Sequence, residues 1–381
     1  MNIFYIITVI GILLTILQNP AEALITAQTT LDSWWYKVLP ALLPFFIISE
    51  LCGRLGFINA LSIWLTPIMQ PLFRLPGAAA LCLLLGFFSG SPTGGSVAAS
   101  LRQQKLITRN EGERMLAFCN NVGPLYLLIT VTALLQQPAV GVWLALVQYP
   151  VNLALGLLLR FFARGDQPSP SPPQSAAGLW RSGLSALQNT ASQPISLLLK
   201  QSSLQALTNI GMIGAFMLCF SLLLLALKQS GLILLLHWLL SPLCYLFDLP
   251  PAVLPGLCDG FFEITLGVQA VAAAEADLFS KLLAASIILG WSSLSIHSQI
   301  AGVVSHTDLT LRYYLPCRVV HCLAAPLLLS LLGPHFNLAS STLADFSLPA
   351  WLLLPGALLL PALVLLLLML CLSFLICRRQ S

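Results

Sequence analysis

Four polar stretches interrupt an otherwise apolar chain, and each carries residue types that bind or relay. The first is GFFSGSPTGGS, residues 86–96. Ser89, Ser91, Thr93 and Ser96 offer hydroxyls, and Gly94 and Gly95 let a ligand come close to the backbone N–H groups of a starting helix. The second is FCNNVGP, residues 118–124, with Asn120 and Asn121 just before a Gly-Pro break. Two carboxamides supply donors and acceptors without charge, either to a polar ligand or to the carbonyls that the proline frees. The third, GFFEITLGV from Gly260, holds Glu263 and Thr265. A carboxylate at membrane depth is costly, so Glu263 is a candidate for coupling to an ion or a proton, with a water-facing interfacial glutamate as the alternative. Asp259, just upstream, either shares that site or caps it. The fourth is GWSSLSIHSQIAG, residues 290–302, in which Ser293, Ser295, His297 and Gln299 occupy alternate positions. Alternation favours an extended segment crossing a cavity, with a polar helix face as the alternative. His297 either meets ligand and protons or is a satisfied core histidine.

Other chemistries lack their residues. No Gly-x-x-x-x-Gly-Lys-Ser/Thr loop and no His-Glu-x-x-His pair occurs, which argues against nucleotide-driven transport in this chain and against a zinc protease. Ser89 or Ser91 with His297 lacks an orienting third group for a serine hydrolase. Cys317, His321 and Cys322 share a helix face but have no fourth ligand at a matching spacing. The ten cysteines are scattered without a Cys-x-x-Cys pair and read as small hydrophobes. The expectation is a protein that is not an enzyme and that uses no cofactor or metal.

These stretches must be held by membrane elements. Of the 381 residues, 58% are hydrophobic and only 8% charged, far below the roughly 25% of soluble domains. The mean hydropathy is +0.91. The lipid bilayer is therefore the first partner. A net charge of +4 without a basic tract argues against nucleic acid, and assembly as a homo-oligomer is left open. The opening run lacks a basic start and a cleavage site, so it reads as a retained membrane helix, followed by an outer loop to residue 33. Residues 53–73, broken by Gly53, Gly56, Pro67 and Pro71, are expected along the interface or turning back. Between 91 and 121, Ser91-Pro92 reads as a helix start and Thr108 with Glu111 as a capping box, together a helical hairpin. Residues 164–203 read as a Pro/Ser-rich linker and an amphipathic segment, and 334–381 as an outer loop and a last membrane helix. Arg160, Arg164, Arg181 and Lys200 flank the linker, and Arg378 and Arg379 end the chain, so both termini are expected on the cytoplasmic side.

Leu72-Phe73-x-Leu75-Pro76 stands ten residues before Gly86-Phe87-Phe88, and Leu246-Phe247-x-Leu249-Pro250 stands ten before Gly260-Phe261-Phe262, a constant offset of 174. Thr66-Pro67 faces Ser241-Pro242 one residue out of step. The chain thus divides into two similar halves, 34–163 and 204–333. Matched, Gly-interrupted apolar segments in two halves are the mark of inverted-repeat transporters, whose sites lie where the halves meet. Irregular backbone at that depth is tolerated only when it is packed in protein or lines a polar cavity. The expected fold is an all-α polytopic membrane protein: two inverted repeats with broken helices and re-entrant hairpins.

The segments GFFSGSPTGG, ITRNEGERMLAFCNNVGP, GFFEITLG and GWSSLSIHSQ resemble the sporulation integral membrane protein YlbJ family, within the nucleoside-recognition or Gate-domain group. The resemblance covers about residues 35–330 and is most specific from Phe118 to Pro124. It implies two Gate repeats, a bacterial plasma membrane location and, in spore formers, a part in cortex formation. Ser91 stands where the family pattern has an aromatic residue, and Ser292-Ser293 where it has a small, Gly-rich pair. The expected function is a permease for a small polar metabolite, with a non-transporting scaffold in spore or envelope assembly as the alternative.

Overall fold

The computed structural model describes residues 2–137, 139–163, 176–189 and 194–333. Residues 334–381, with the expected last helix, and residues 164–175 of the expected linker therefore lie outside the described residues. Every regular element among the described residues is helical. Helix α1 (Asn2–Gln18) meets α2 (Pro20–Ser33) at Asn19, and a π-helical turn at Trp34–Val38 leads into α3 (Leu39–Arg54). Residues 20–33, expected as an outer loop, are helical, because Pro20 starts α2 in a stretch with no glycine or further proline. The first half continues through α4 (Phe57–Phe73), α5 (Ala79–Ser89), α6 (Thr93–Gln103), α7 (Arg109–Cys119), a π-helical turn at Tyr126–Val131 with α8 (Thr132–Leu135), and α9 (Val140–Leu159). After α10 (Ala176–Asn189) comes α11 (Ile195–Gln229), then α12 (Ile233–Leu246), α13 (Leu254–Phe262), α14 (Ile264–Ala273), α15 (Leu278–Trp291), α16 (Ser293–Val304) and α17 (Tyr314–Leu332).

Among the described residues, four helices are long and apolar enough to cross a membrane, and two bent pairs, α1 with α2 and α3 with α4, raise that to as many as six. The protein is an all-α polytopic integral membrane protein. Helix α4 is one helix despite Pro67 and Pro71, and its buried face, from Ile58 to Phe73, packs into the first core. Helix α11 has 35 residues, about 52 Å at helical rise, so the expected boundary at residue 203 falls inside a continuous helix. The linker-side segment contributes α10, whose Trp180 stacks on Trp64 of α4 at 5.0 Å.

Some backbone turns and one helix start recur at the offset seen in the sequence. Arg74 and Asp248, the middle residues of the two Leu-Phe-x-Leu-Pro motifs, both turn through φ 50°. Gly56 and Gly231, which precede α4 and α12, have φ 79° and 75°. Their offset of 175 is the one that relates Pro67 to Pro242. Helix α17 begins 174 residues after α9 begins. The two cores do not follow the halves, however. Ile300, Val304, Leu309 and Tyr314 of the second half lie in the core around α4–α7, and Val38, Leu127 and Leu144 of the first lie in the core around α13–α17.

Candidate functional site

Both breaks arise from local sequence. Helix α5 stops at Gly90, and α6 starts at Thr93 with Pro92 just outside it. The starting N–H groups of α6 are not satisfied by a Ser91 cap. Asn120 Oδ1 instead accepts from Gly95 N at 2.8 Å, while Asn120 Nδ2 donates to Leu116 O at 2.9 Å. One carboxamide thus satisfies both a helix start and a helix end. The glycines of the first stretch serve this crossing: a Cβ at Gly86 or Gly94 would overlap the Cys119 carbonyl oxygen. In the second half, α13 and α14 are separated only by Glu263, which ends one and caps the other, Oε2 accepting from Leu266 N at 2.8 Å.

The two breaks face a common cavity of about 70 Å³ open to water-sized molecules. From the first half it is lined by Ser89, Gly90, Ser91 and Asn121, and from the second by Glu263, Thr265, Ser295 and Gln299. Apolar walls come from α3 (Phe46 and Leu42) and from Ile213 of α11. Ser49 and Ser89 share a hydrogen bond of 2.8 Å, and Ser91 N donates to Asn121 O at 2.8 Å. Tyr126 OH donates to Thr265 Oγ1 at 3.0 Å, joining the π-helical turn of one half to the break of the other. Glu263 is 3% exposed, which rules out the water-facing alternative.

Seven of the residues singled out from the sequence therefore meet: Ser89, Ser91, Asn121, Glu263, Thr265, Ser295 and Gln299. Thr93, Gly94, Gly95, Ser96, Asn120, Ser293 and His297 do not line the cavity. Gly94, Gly95 and Asn120 are taken up by the helix crossing, and Ser96 Oγ turns back to Pro92 O. The stretch from Ser293 is a helix, not an extended segment, so its alternate residues point to different sides. Ser295 and Gln299, four apart, share the cavity side. His297 instead bonds Tyr314 OH through Nδ1 at 2.9 Å and sits edge-on to the Trp291 and Tyr314 rings. Asp259 pairs with Lys228 at 2.8 Å and stays away from the cavity.

Two groups were missed. Tyr126 has no local signal, because its role depends on the facing Thr265. Arg318 had one: it is the only Lys or Arg from Tyr314 to Gly333. It is fully buried on α17 and reaches across to the end of α7, donating through Nη2 to Ala117 O at 2.9 Å and Asn152 Oδ1 at 2.6 Å. Asn152 Nδ2 in turn donates to Phe118 O. A guanidinium is thus held by the negative end of a helix rather than by a carboxylate.

Helices broken in both halves of an all-α membrane protein, meeting at a polar cavity, define the class: a polytopic protein carrying a Gate domain. Residues 35–136 match the Gate family, described as nucleoside recognition. The chain is 32% identical over 328 residues to the sporulation integral membrane protein YlbJ of Bacillus subtilis (strain 168), covering 84% of this chain and 79% of that protein. It belongs to the YlbJ family. No solved structure matches it.

Proposed function

We propose that this chain is a permease for a small polar metabolite in a bacterial plasma membrane, with both termini cytoplasmic and a part in sporulation like that named for the Bacillus subtilis relative. One observation carries the reading: Ser89, Ser91, Asn121 and Tyr126 from one half and Glu263, Thr265, Ser295 and Gln299 from the other line a single cavity bounded by two helix breaks. Two inverted Gate repeats account for that arrangement, since alternating access moves one repeat against the other around a shared site. Ser89, Ser91 and Asn121 contact the solute from one side, and Thr265, Ser295 and Gln299 from the other. Glu263, the one carboxylate of the lining, is the coupling group for an ion or a proton.

The test is uptake in proteoliposomes across labelled nucleosides, dicarboxylates and divalent cations, chosen first by thermal shift. Glu263→Gln and Asn121→Ala are expected to lower uptake at least about tenfold, the effect of removing one charge-assisted contact, while leaving the folded fraction intact. Parental uptake in both variants removes the site assignment. The scaffold reading draws on a different observation, the use of Gly86 and Gly94 for helix crossing. It gains if no solute in the panel shifts the melting temperature or is taken up.

A further inference from the structure

The α6–α7 hairpin of the first half and the loop between α16 and α17 of the second meet in a polar lock. Arg102, in the last turn of α6, donates from Nε to Asp308 Oδ1 and from Nη2 to Asp308 Oδ2, each at 2.8 Å. Its Nη1 donates to Ile107 O at 3.1 Å, so one guanidinium ties the turn of its own hairpin to the opposite loop. In the second turn of α7, Glu113 Oε1 accepts from Thr310 N at 3.1 Å, Thr310 Oγ1 at 2.7 Å and Arg109 Nε at 2.9 Å. Glu113 is 4% exposed, so its charge depends on these donors.

The lock stands at the far end of two helices that start at the cavity. Ser91, just before α6, and Ser295 and Gln299, in the first turns of α16, line the cavity. Asp308 lies four residues beyond the end of α16. Between cavity and lock the space is filled by Leu101, Ile107, Leu116, Ile300, Val304 and Leu309 of one core. Helix α6 has 11 residues and so runs about 16 Å from its cavity end toward the lock. Water reaches the cavity along this path only if α6 and α16 part. Parting them pulls Arg102 off Asp308 and Thr310 off Glu113.

The matching end of the other repeat is built differently. At the turn between α14 and α15, Asp277 accepts from Ser280 N and Oγ at 3.0 and 2.5 Å, and Lys281 Nζ donates to Ala272 O at 2.8 Å. These bonds stay within the hairpin. Among the described residues, no hydrogen bond or ion pair joins 274–277 to 132–137, the stretch that an offset of 174 relates to 306–311.

We propose that Arg102–Asp308 and Glu113–Thr310 form a one-sided latch that keeps the cavity closed toward the α6–α7 turn, and that the unlatched α14–α15 end opens without breaking ion pairs. The proposal rests on the permease reading for its purpose, but its test needs no solute. Gln299→Cys is placed in the full chain in sealed vesicles. Its labelling by the membrane-impermeant reagent 2-(trimethylammonium)ethyl methanethiosulfonate is followed by mass spectrometry with the reagent on either side. In this background, Asp308→Ala and Thr310→Ala are expected to speed labelling from the latch side about two- to fivefold, the population shift that follows from losing a half-exposed pair. Labelling from the other side should stay at the parental rate. The exchange Arg102→Asp with Asp308→Arg should return the latch-side rate toward the parent, which a general loosening would not do. Thr310→Ser keeps both donors to Glu113 and should leave the rate unchanged. Rates unaltered in both latch variants, or raised equally from both sides, overturn the latch. Altered one-sided labelling without uptake of any solute removes the permease reading and leaves the latch standing; solute uptake with flat labelling removes the latch alone.

Discussion

Where α15 gives way to α16, two consecutive serines hold left-handed backbone, with φ 72° at Ser292 and 65° at Ser293. A side chain in that conformation costs about 1–2 kcal/mol. Ser292 Oγ recovers part of the cost by donating to Leu289 O at 3.2 Å, whereas Ser293 Oγ has no partner. Ser293→Gly is therefore expected to stabilise the protein by about 0.5–1 kcal/mol, after allowing for the greater freedom of glycine in the unfolded chain. Ser292→Gly should gain less. Melting midpoints of the purified protein in detergent measure both. Gly86 sets the opposite case, because a methyl group there meets a backbone carbonyl that cannot step aside. Gly86→Ala is expected to cost at least about 1–3 kcal/mol. Gly211→Ala, where nothing lies within 4 Å, should be neutral or slightly stabilising in the same assay. A charged residue outside the membrane gives the pH dependence. Hydrogen bonding to Arg102 holds the Asp308 carboxyl below its ordinary range, with Arg102 and Arg109 charges adding to the effect. A depressed carboxyl contributes its stability above the unfolded value, near 3.9, and loses it as pH falls through the folded value. The Arg102–Asp308 contact should therefore be indifferent to pH from about 5 upward and fail only in acid, which latch-side labelling across a pH series would read.

Among the elements, α7 depends most plainly on side chains at its two ends. Its start is a complete capping box: Glu111 N donates to Thr108 Oγ1 at 3.2 Å, and Thr108 N to Glu111 Oε2 at 2.8 Å. That box was legible, because the signal lies within four residues. The end of α7 was not, because its partners come from α17 and α9, about 200 and 35 residues away. Arg318 reaches Ala117 O, Asn120 O and Asn152 Oδ1 as a planar fork. Arg318→Lys should fail to restore these contacts, since an ammonium is a compact donor on a shorter reach, and is expected to cost about 2–4 kcal/mol. Thr108→Ala should cost only about 1 kcal/mol. The order of the two losses in thermal unfolding distinguishes a buried interlock from a part-buried cap. The same distance rule explains α16. Period-two polarity from Ser293 suggested an extended segment, but only Ser295 and Gln299 needed to share a side, and i to i+4 in a helix provides that. In the α4 region the chain bends by 68° between α3 and α4, at the Gly53–Gly56 stretch, while Pro67 and Pro71 lie inside a helix whose buried face packs into the first core.

At the scale of the molecule, the class of fold was legible because composition and two apolar breaks at one offset leave few alternatives. What the sequence concealed is how the halves share their interiors. Helix α17 packs on α7 and α9, α15 packs on α9, and α3 packs along α11. Each apolar core draws side chains from both halves, so neither half buries its own apolar surface alone. Two pieces, 1–163 and 164–381, divided in the Pro/Ser-rich stretch, should therefore behave as complements. Expressed separately, each is expected to aggregate on extraction from the membrane, with Ile300, Val304 and Tyr314 in one piece and Leu127 and Leu144 in the other losing their cover. Expressed together, they should co-purify as one monodisperse species, because the contacts across α7–α17, α9–α15 and α3–α11 do not pass through the cut. Introducing Arg318→Met into the second piece should weaken that association, since the guanidinium is one of the buried bridges between the pieces. Size-exclusion profiles of the single and paired pieces decide the matter: two separately well-behaved pieces would mean that the halves are independent bodies, and a shared cavity built from both could not then be held at fixed geometry.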